Sequence, residues 1–490
     1  MLSFALTLAL VGVLAPVGSY AGEPGPSACA NITSQLGPSK VVDKTFSLKY
    51  IVSTEYWSTP QSAYKPACIV YPTASKDVST ILQSIQAADS RFAVKAGGHN
   101  PNTFFSSTDK GVLIDLTNLN KKSYDPETTL ATYEPGGVFG DIYEYFEQFN
   151  RTVVGARLSG VGTGLALGGG MSYLSPQYGM ACDSFRELEI VLPNGTIVTA
   201  SNTTNTDLFF ASRGGGGNAY GIVTKYTVQS RPIGEFWSGN LFYAFPQKDA
   251  VVDAIGDFIT YNTDPKAAII GTYEKLPTPD INLNLDEFII MFLVYDGPDP
   301  GTAFDNFTSI PHILDTSKIR SYPEVVDMPI PVATEISRGN NIFRVGAHYA
   351  DNDEHKTALD KWRAWGEEHK GKYLLLSLDY QPVPKSLTDA SKAQGGNAMD
   401  MPDGPWFWLN YLLTTLPGMS ETAVDAVRSS FRDMVESTGN AEGLPLFIND
   451  ASADQHPLST FSTYSRLQEI KQKYDPDNFF VDKTGGWSFE

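Results

Sequence analysis

Between Pro66 and Pro232 short apolar runs alternate with longer amphipathic ones. Residues 67–72, Ala-Cys-Ile-Val-Tyr-Pro, read as a buried strand stopped by a proline. Over 75–88 the apolar residues Val78, Ile81, Leu82 and Ile85 recur at helical spacing, with Ser75 as the expected cap. Strands follow at 92–95, breaking at Gly97-Gly98, and at 111–116. Runs 188–192 and 196–200 flank Pro193-Asn194-Gly195, which is a hairpin signal. A helical turn at 208–212 and four glycines, 214–217, lead into a strand over 221–228. Beyond Pro232 the texture changes to longer strands, such as 288–294 and 373–378, and amphipathic helices, such as 357–369 and 420–437. A last helix is expected over 463–473. The pattern predicts an α+β chain of two lobes, the second (233–445) an antiparallel sheet covered by helices on one side.

A chain of 490 residues exceeds a single ordinary core, which agrees with two lobes. Its formal charge of −19 argues against nucleic acid or an anionic membrane as partner, since both are polyanions. Residues 1–21 carry no charged side chain, run apolar from Phe4 to Val17, and end Ser19-Tyr20-Ala21. They read as a signal peptide cleaved after Ala21, so the mature protein is expected outside the cell. The alternative, an uncleaved anchor, has to contend with Pro16, Gly18 and a short apolar run. Sequons at Asn31, Asn150, Asn194, Asn202 and Asn306 are compatible with export. An oxidising destination permits one disulfide among Cys29, Cys68 and Cys182. Cys29 and Cys68 both lie near the N-terminus and are paired here, leaving Cys182 free; three buried thiols is the alternative. No pair of the six histidines falls at metal-binding spacing.

Four glycine-bearing loops crowd one region: 95–100 (Lys-Ala-Gly-Gly-His-Asn), 160–164, 168–170 and 214–217. Glycine lets a ligand approach the main chain, and consecutive N–H groups make a nest for a diphosphate. Gly162-x-Gly164-x-x-x-Gly168 is not a dinucleotide fingerprint of the βαβ kind, because it follows a helix and a short extended stretch rather than a strand of a βαβ unit. In their order, these segments resemble the flavoproteins with a vanillyl-alcohol-oxidase-like (PCMH-type) FAD domain, and within them the secreted fungal, berberine-bridge-enzyme-like oxidases. The resemblance is carried by 66–72, Ala96-Gly97-Gly98-His99, Val112–Leu116, Gly162-Thr163-Gly164 through Gly170, Tyr178–Asp183, Gly214–Val223 and Tyr474–Phe480.

The resemblance implies a FAD-binding lobe over 22–232 (core about 60–232), a substrate lobe over 233–445, and a segment 446–490 that returns to the first lobe. It implies FAD wrapped by Lys95, Ala96, Gly97, Gly98, His99 and Asn100, with His99 bonded to the 8α carbon of the flavin. Gly162, Thr163, Gly164, Gly169 and Gly170 would line the other side of the diphosphate. Asp183, Gly221, Ile222 and Val223 would reach the ribityl or adenine portion, and Asn478 the flavin edge. Many such oxidases carry a second, cysteinyl link in a Gly-Thr-Cys-Pro segment; this chain has Gly155-Ala156-Arg157-Leu158-Ser159, so one histidyl bond is expected. Relatives often place a tyrosine base in a Tyr-x-Asn-Tyr pattern, whereas this chain has Phe447-Ile448-Asn449-Asp450. The candidates for catalysis are therefore Tyr380, Tyr411 and Asn449, with Asp450 as another group able to orient substrate. Three functions compete: a peroxide-forming oxidase of a small secondary-metabolite alcohol or amine, a carbohydrate oxidase, and a non-catalytic flavoprotein. The expected partners are a small molecule and molecular oxygen, with no nucleic acid, no membrane, no metal and a monomeric state.

Overall fold

The computed structural model describes residues 23–277, 285–328 and 339–489. The leader expected over 1–21 lies outside the described residues. Strands β1 (Val41–Val42), β2 (Cys68–Val70), β3 (Phe92–Lys95) and β4 (Val112–Asp115) form one sheet in the order β1-β2-β4-β3. β2 and β3 run parallel to β4. Val112, Leu113 and Ile114 are fully buried, as expected of a parallel strand covered on both faces. Helices α1 (Pro24–Leu36) and α2 (Ser75–Ala87) pack Ala28, Ile32, Ile81 and Ile85 into the same core. Ser75 opens α2 rather than capping it: the cap position is Ala74, and Asp77 accepts the Thr73 N–H at 2.8 Å. Cys29 of α1 is disulfide-bonded to Cys68 of β2, while Cys182 is free and buried.

A second, antiparallel sheet holds β5 (Lys122–Asp125), β6 (Leu130–Tyr133), β7 (Phe185–Val191), β8 (Ile197–Ser201) and β9 (Ile222–Gln229), in the order β5-β6-β9-β7-β8. The Asn194-Gly195 turn joins β7 to β8 as the sequence predicts, with Gly195 at φ 82°.

The third sheet has eight strands: β10 (Phe236–Ala244), β11 (Ala267–Lys275), β12 (Glu287–Tyr295), β13 (Leu314–Asp315), β14 (Lys318–Arg320), β15 (Asn340–Tyr349), β16 (Tyr373–Val383) and β17 (Trp406–Thr415). Their order is β13-β10-β12-β11-β16-β17-β15, with β14 also on β10, and every pairing is antiparallel. One face packs on α3 (Lys248–Tyr261), α4 (Asn352–Glu368) and α5 (Glu421–Thr438) through Ile255, Leu359, Trp362 and Phe431. α4 starts at Asn352, earlier than predicted, because Asp351 caps it by accepting the N–H groups of Asp353 and Glu354 at 2.9 and 3.1 Å. The chain then returns: α6 (Tyr464–Tyr474) packs against the helical turn Thr206–Ala211, and Phe479 and Phe480 seat on Phe92 with ring centroids 5.3 and 5.6 Å away. Among the described residues no helix is long and apolar enough to cross a membrane.

Candidate active site

A cleft of about 1030 Å³ lies between the glycine loops and the helix-free face of the third sheet. That volume is at the top of the range of small-molecule sites. Loop 96–100 leaves β3 and meets loop 160–164 backbone to backbone. A Cβ on Gly97 would stand 2.6 Å from the Gly162 nitrogen, and one on Gly162 would stand 2.3 Å from the Gly97 nitrogen. Neither position tolerates a side chain. Gly216, Gly217 and Gly221-Ile222-Val223 continue the same wall. His99 lies on it, stacked on Trp57 at 4.5 Å and 13°, and Trp57 in turn contacts Phe343 of β15 at 5.4 Å. Burial pushes the His99 imidazole down to about 4, so the ring is neutral at ordinary pH.

The opposite wall is the sheet. Ile270, Phe292, Phe343, Leu375 and Leu412 make it mostly apolar. In their midst sits a polar island set by register, in which Thr272 faces Asp379, Glu274 faces Ser377, and Asp379 faces Asn410 across neighbouring strands. Asp379 accepts from Thr272 at 2.8 Å, Ser377 at 3.1 Å and Asn410 at 3.1 Å. Desolvation raises the pKa of Asp379, and burial beside Asp379 raises that of Glu274 far above its usual range. Two acceptors of this island, Glu274 Oε2 and Asn410 Oδ1, are buried without a hydrogen-bond partner. At the island's edge Arg157 donates to Gln381 Oε1, and Gln381 Nε2 donates to Asp450 Oδ2 at 2.5 Å. Burial raises Asp450 to about 6 against the opposing pull of Arg157. Arg157 is the one Lys or Arg side chain on the cleft among the described residues.

The structure brings together Ala96, Gly97, Gly98, His99, Asn100, Gly162, Thr163, Gly164, Gly221, Ile222, Val223 and Asn449 around this cleft. It does not bring the remaining predicted residues there. Lys95 turns behind the loop and donates to the carbonyls of Ser53 and Glu55 at 2.7 and 2.8 Å, acting as a strut under Gly98. Gly169 and Gly170, at φ 99° and 78°, make the turn behind the wall, where their carbonyls accept from Cys182 and Ala181. Asp183 is fully buried and accepts from Met180 N, Asn397 and Arg213 at 2.8, 3.0 and 3.3 Å. Asn478 opens the helix Phe479–Lys483 and accepts from Lys471.

Tyr380 and Tyr411 are fully buried on the helix side of the sheet. Tyr380 donates to the His355 carbonyl at 3.1 Å and Tyr411 to Thr438 at 3.2 Å. Strand alternation explains the error, since Asp379, Gln381 and Asn410, one residue away, are the groups that face the cleft. Asn449 borders the cleft, but its amide donates to the carbonyls of Leu165 and Gly168 at 3.0 and 3.1 Å, which ties the C-terminal segment to the glycine loop. Sequence reasoning missed Trp57, Arg157, Gln381 and Asp379 as members of the site. The two strand residues had a signal in the polar interruption of Leu-Leu-Leu-Ser-Leu-Asp-Tyr-Gln.

The residues present fit FAD. The Gly97–Gly162 approach leaves a backbone cradle, and the cleft is large enough for a dinucleotide. Glu274 Oε2 and Asn410 Oδ1, buried without a partner, leave polar atoms on this wall for a bound molecule to pair with. The family model described as FAD binding domain matches residues 66–201, and that described as berberine and berberine like matches 460–485. An uncharacterized FAD-linked oxidoreductase of Arthroderma benhamiae is 34% identical, over 99% of this chain and 98% of its own. Among solved structures, 6-hydroxy-D-nicotine oxidase from Arthrobacter nicotinovorans superposes with TM-score 0.74 at 21% identity, covering 90% of this chain and 96% of its own. The carbohydrate oxidase of Microdochium nivale does so with TM-score 0.75 at 18% identity, covering 93% and 98%.

Proposed function

This chain belongs to the FAD-linked oxidoreductases, and from that premise we propose that it is a secreted oxidase of a small, largely apolar alcohol or amine, with FAD bonded to His99 and peroxide as the second product. The observation that carries the substrate class is the sheet wall, where apolar Ile270, Phe292, Phe343, Leu375 and Leu412 surround a compact polar island. A sugar would need hydrogen-bonding groups spread along a groove, whereas a molecule with one reactive hydroxyl or amine needs one island in an apolar frame. Bound in the cleft, FAD supplies the two-electron acceptor.

The chain's own residues do the rest. Gly97 and Gly162 admit a diphosphate close to the backbone. Trp57 fixes the plane of His99, and burial keeps its imidazole neutral and therefore nucleophilic, which supports a histidyl bond. The apolar frame excludes water from the reacting carbon, and a carboxylate on the cleft takes the substrate's proton. Export, expected from residues 1–21, favours oxygen as terminal acceptor, because the medium offers no nicotinamide pool.

The test is anaerobic bleaching of the purified yellow protein with benzylic alcohols, benzylic amines and cellobiose, followed by air and peroxide assay. Bleaching by an aromatic alcohol or amine, with one peroxide per turnover, is expected. Bleaching by cellobiose alone would overturn the substrate class, and reduced protein that persists in air would overturn the oxidase reading.

A further inference from the structure

The two tyrosines nominated from sequence are on the wrong side of the sheet, which leaves the reaction without a proton acceptor. Five carboxyls line the cleft; Glu55 and Asp327 are exposed, which leaves Glu274, Asp379 and Asp450 as the ones held away from solvent. Asp379 already accepts from Thr272, Ser377 and Asn410, which fixes it in the sheet as a scaffold. Glu274 has no cation near it and sits beside Asp379, so burial keeps it protonated. Asp450 differs from both. It hangs from the C-terminal segment against β16, and Gln381 is the one side chain that hydrogen-bonds its carboxylate among the described residues. Gln381 is itself fixed by Arg157, so the fork Arg157–Gln381–Asp450 spans the cleft from the glycine-loop side to the C-terminal segment.

We propose that Asp450 is the catalytic base, with Gln381 and Arg157 as the positioning residues that aim it and keep it ionised. This rests on the oxidase reading above. The substrate's O–H or N–H bond breaks toward the Asp450 carboxylate, which becomes a neutral acid. The hydride leaving the carbon, with its electron pair, would be taken by FAD held against the glycine loops. The proton leaves to solvent between turnovers. The charged groups facing Asp450 are Arg157 from the loop side and Asp379 from the sheet; Asp454, on its own segment, is held away by Arg344 at 2.8 Å. A titration near 6 suits this role, because the group is ionised at neutral pH yet basic enough to accept a proton.

The experiment uses the holoenzyme, with 4-methoxybenzyl alcohol and 4-methoxybenzylamine as probes. It measures anaerobic flavin reduction from pH 4.5 to 9 alongside an infrared titration of the carboxyl band. Asp450→Asn should slow reduction by about 10²–10⁴-fold, leave the flavin bound, and remove both the acid limb and the carboxyl band titrating near 6. Arg157→Gln should move limb and band together to higher pH, since the cation holds Asp450 down, which a purely structural role for Arg157 would not do. Wild-type reduction rates in Asp450→Asn, or an acid limb unmoved in Arg157→Gln, would overturn the assignment. Failure of the oxidase reading is separately visible, as wild-type flavin that neither probe bleaches.

Discussion

At the scale of single residues the site depends on where side chains are missing. Gly97 and Gly162 touch backbone to backbone, so Gly162→Ala must push the two loops apart. That variant should lose about 1–3 kcal/mol and much of its bound flavin, measured by thermal unfolding and visible absorbance. Gly160→Ala, which would meet nothing within 4 Å, should leave both unchanged. Asp450 supplies the opposite case, a side chain that costs stability where it sits. Its folded pKa of about 6 stands above the ordinary 3.8, so its stabilising share is full below 3.8 and is lost as pH rises through 6. Asp450→Asn should therefore be more stable than wild type at pH 8, by up to about 3 kcal/mol, and equal to it below pH 4. Denaturant titrations at both values check this. Equal stability at pH 8 would mean that the carboxyl is not strained by burial.

At the scale of elements the sequence was legible where one local rule acts alone. The Asn194-Gly195 hairpin and the helix over 75–87 follow from turn chemistry and from helical spacing, and both are present. The glycine loops were legible because glycine at a close approach has no substitute. Strand parity was not legible. β16 is covered by helices on one face and closes a cleft with the other, so Leu375 and Leu376 are equally buried and the apolar pattern does not say which face is which. Tyrosine, apolar in body and polar at the tip, suits either face. The consequence is measurable. Tyr380→Phe and Tyr411→Phe should each cost about 1 kcal/mol for a lost buried hydrogen bond and keep near-normal flavin reduction. Asp379→Asn, one residue from Tyr380, should alter substrate affinity and the pH profile. Loss of reduction in Tyr380→Phe would contradict the assignment of faces.

At the scale of the whole molecule, the N-terminal helix is stapled to the first sheet and the C-terminal segment closes over both the sheet and the cleft. The Cys29–Cys68 bond closes a separation of 39 residues, so its removal in the double Cys→Ser variant should cost about 3–4 kcal/mol in thermal or denaturant unfolding. The buried pair His348 and His355, each pushed to about 4 by desolvation, adds an acid sensitivity. Both stay neutral in the folded chain while an unfolded histidine takes a proton near 6.5. Stability is therefore full above 6.5 and falls as pH drops toward 4, the reverse of the Asp450 trend.

The central claim is that the loop carrying His99 holds the flavin, and holds it covalently. The most direct measurement is acid precipitation of the yellow holoprotein, followed by mass spectrometry of the peptide that contains His99. Colour should stay with the polypeptide, and the His99 peptide should carry a flavin-derived mass. Quantitative release of free FAD, with the His99 peptide unmodified, would contradict it.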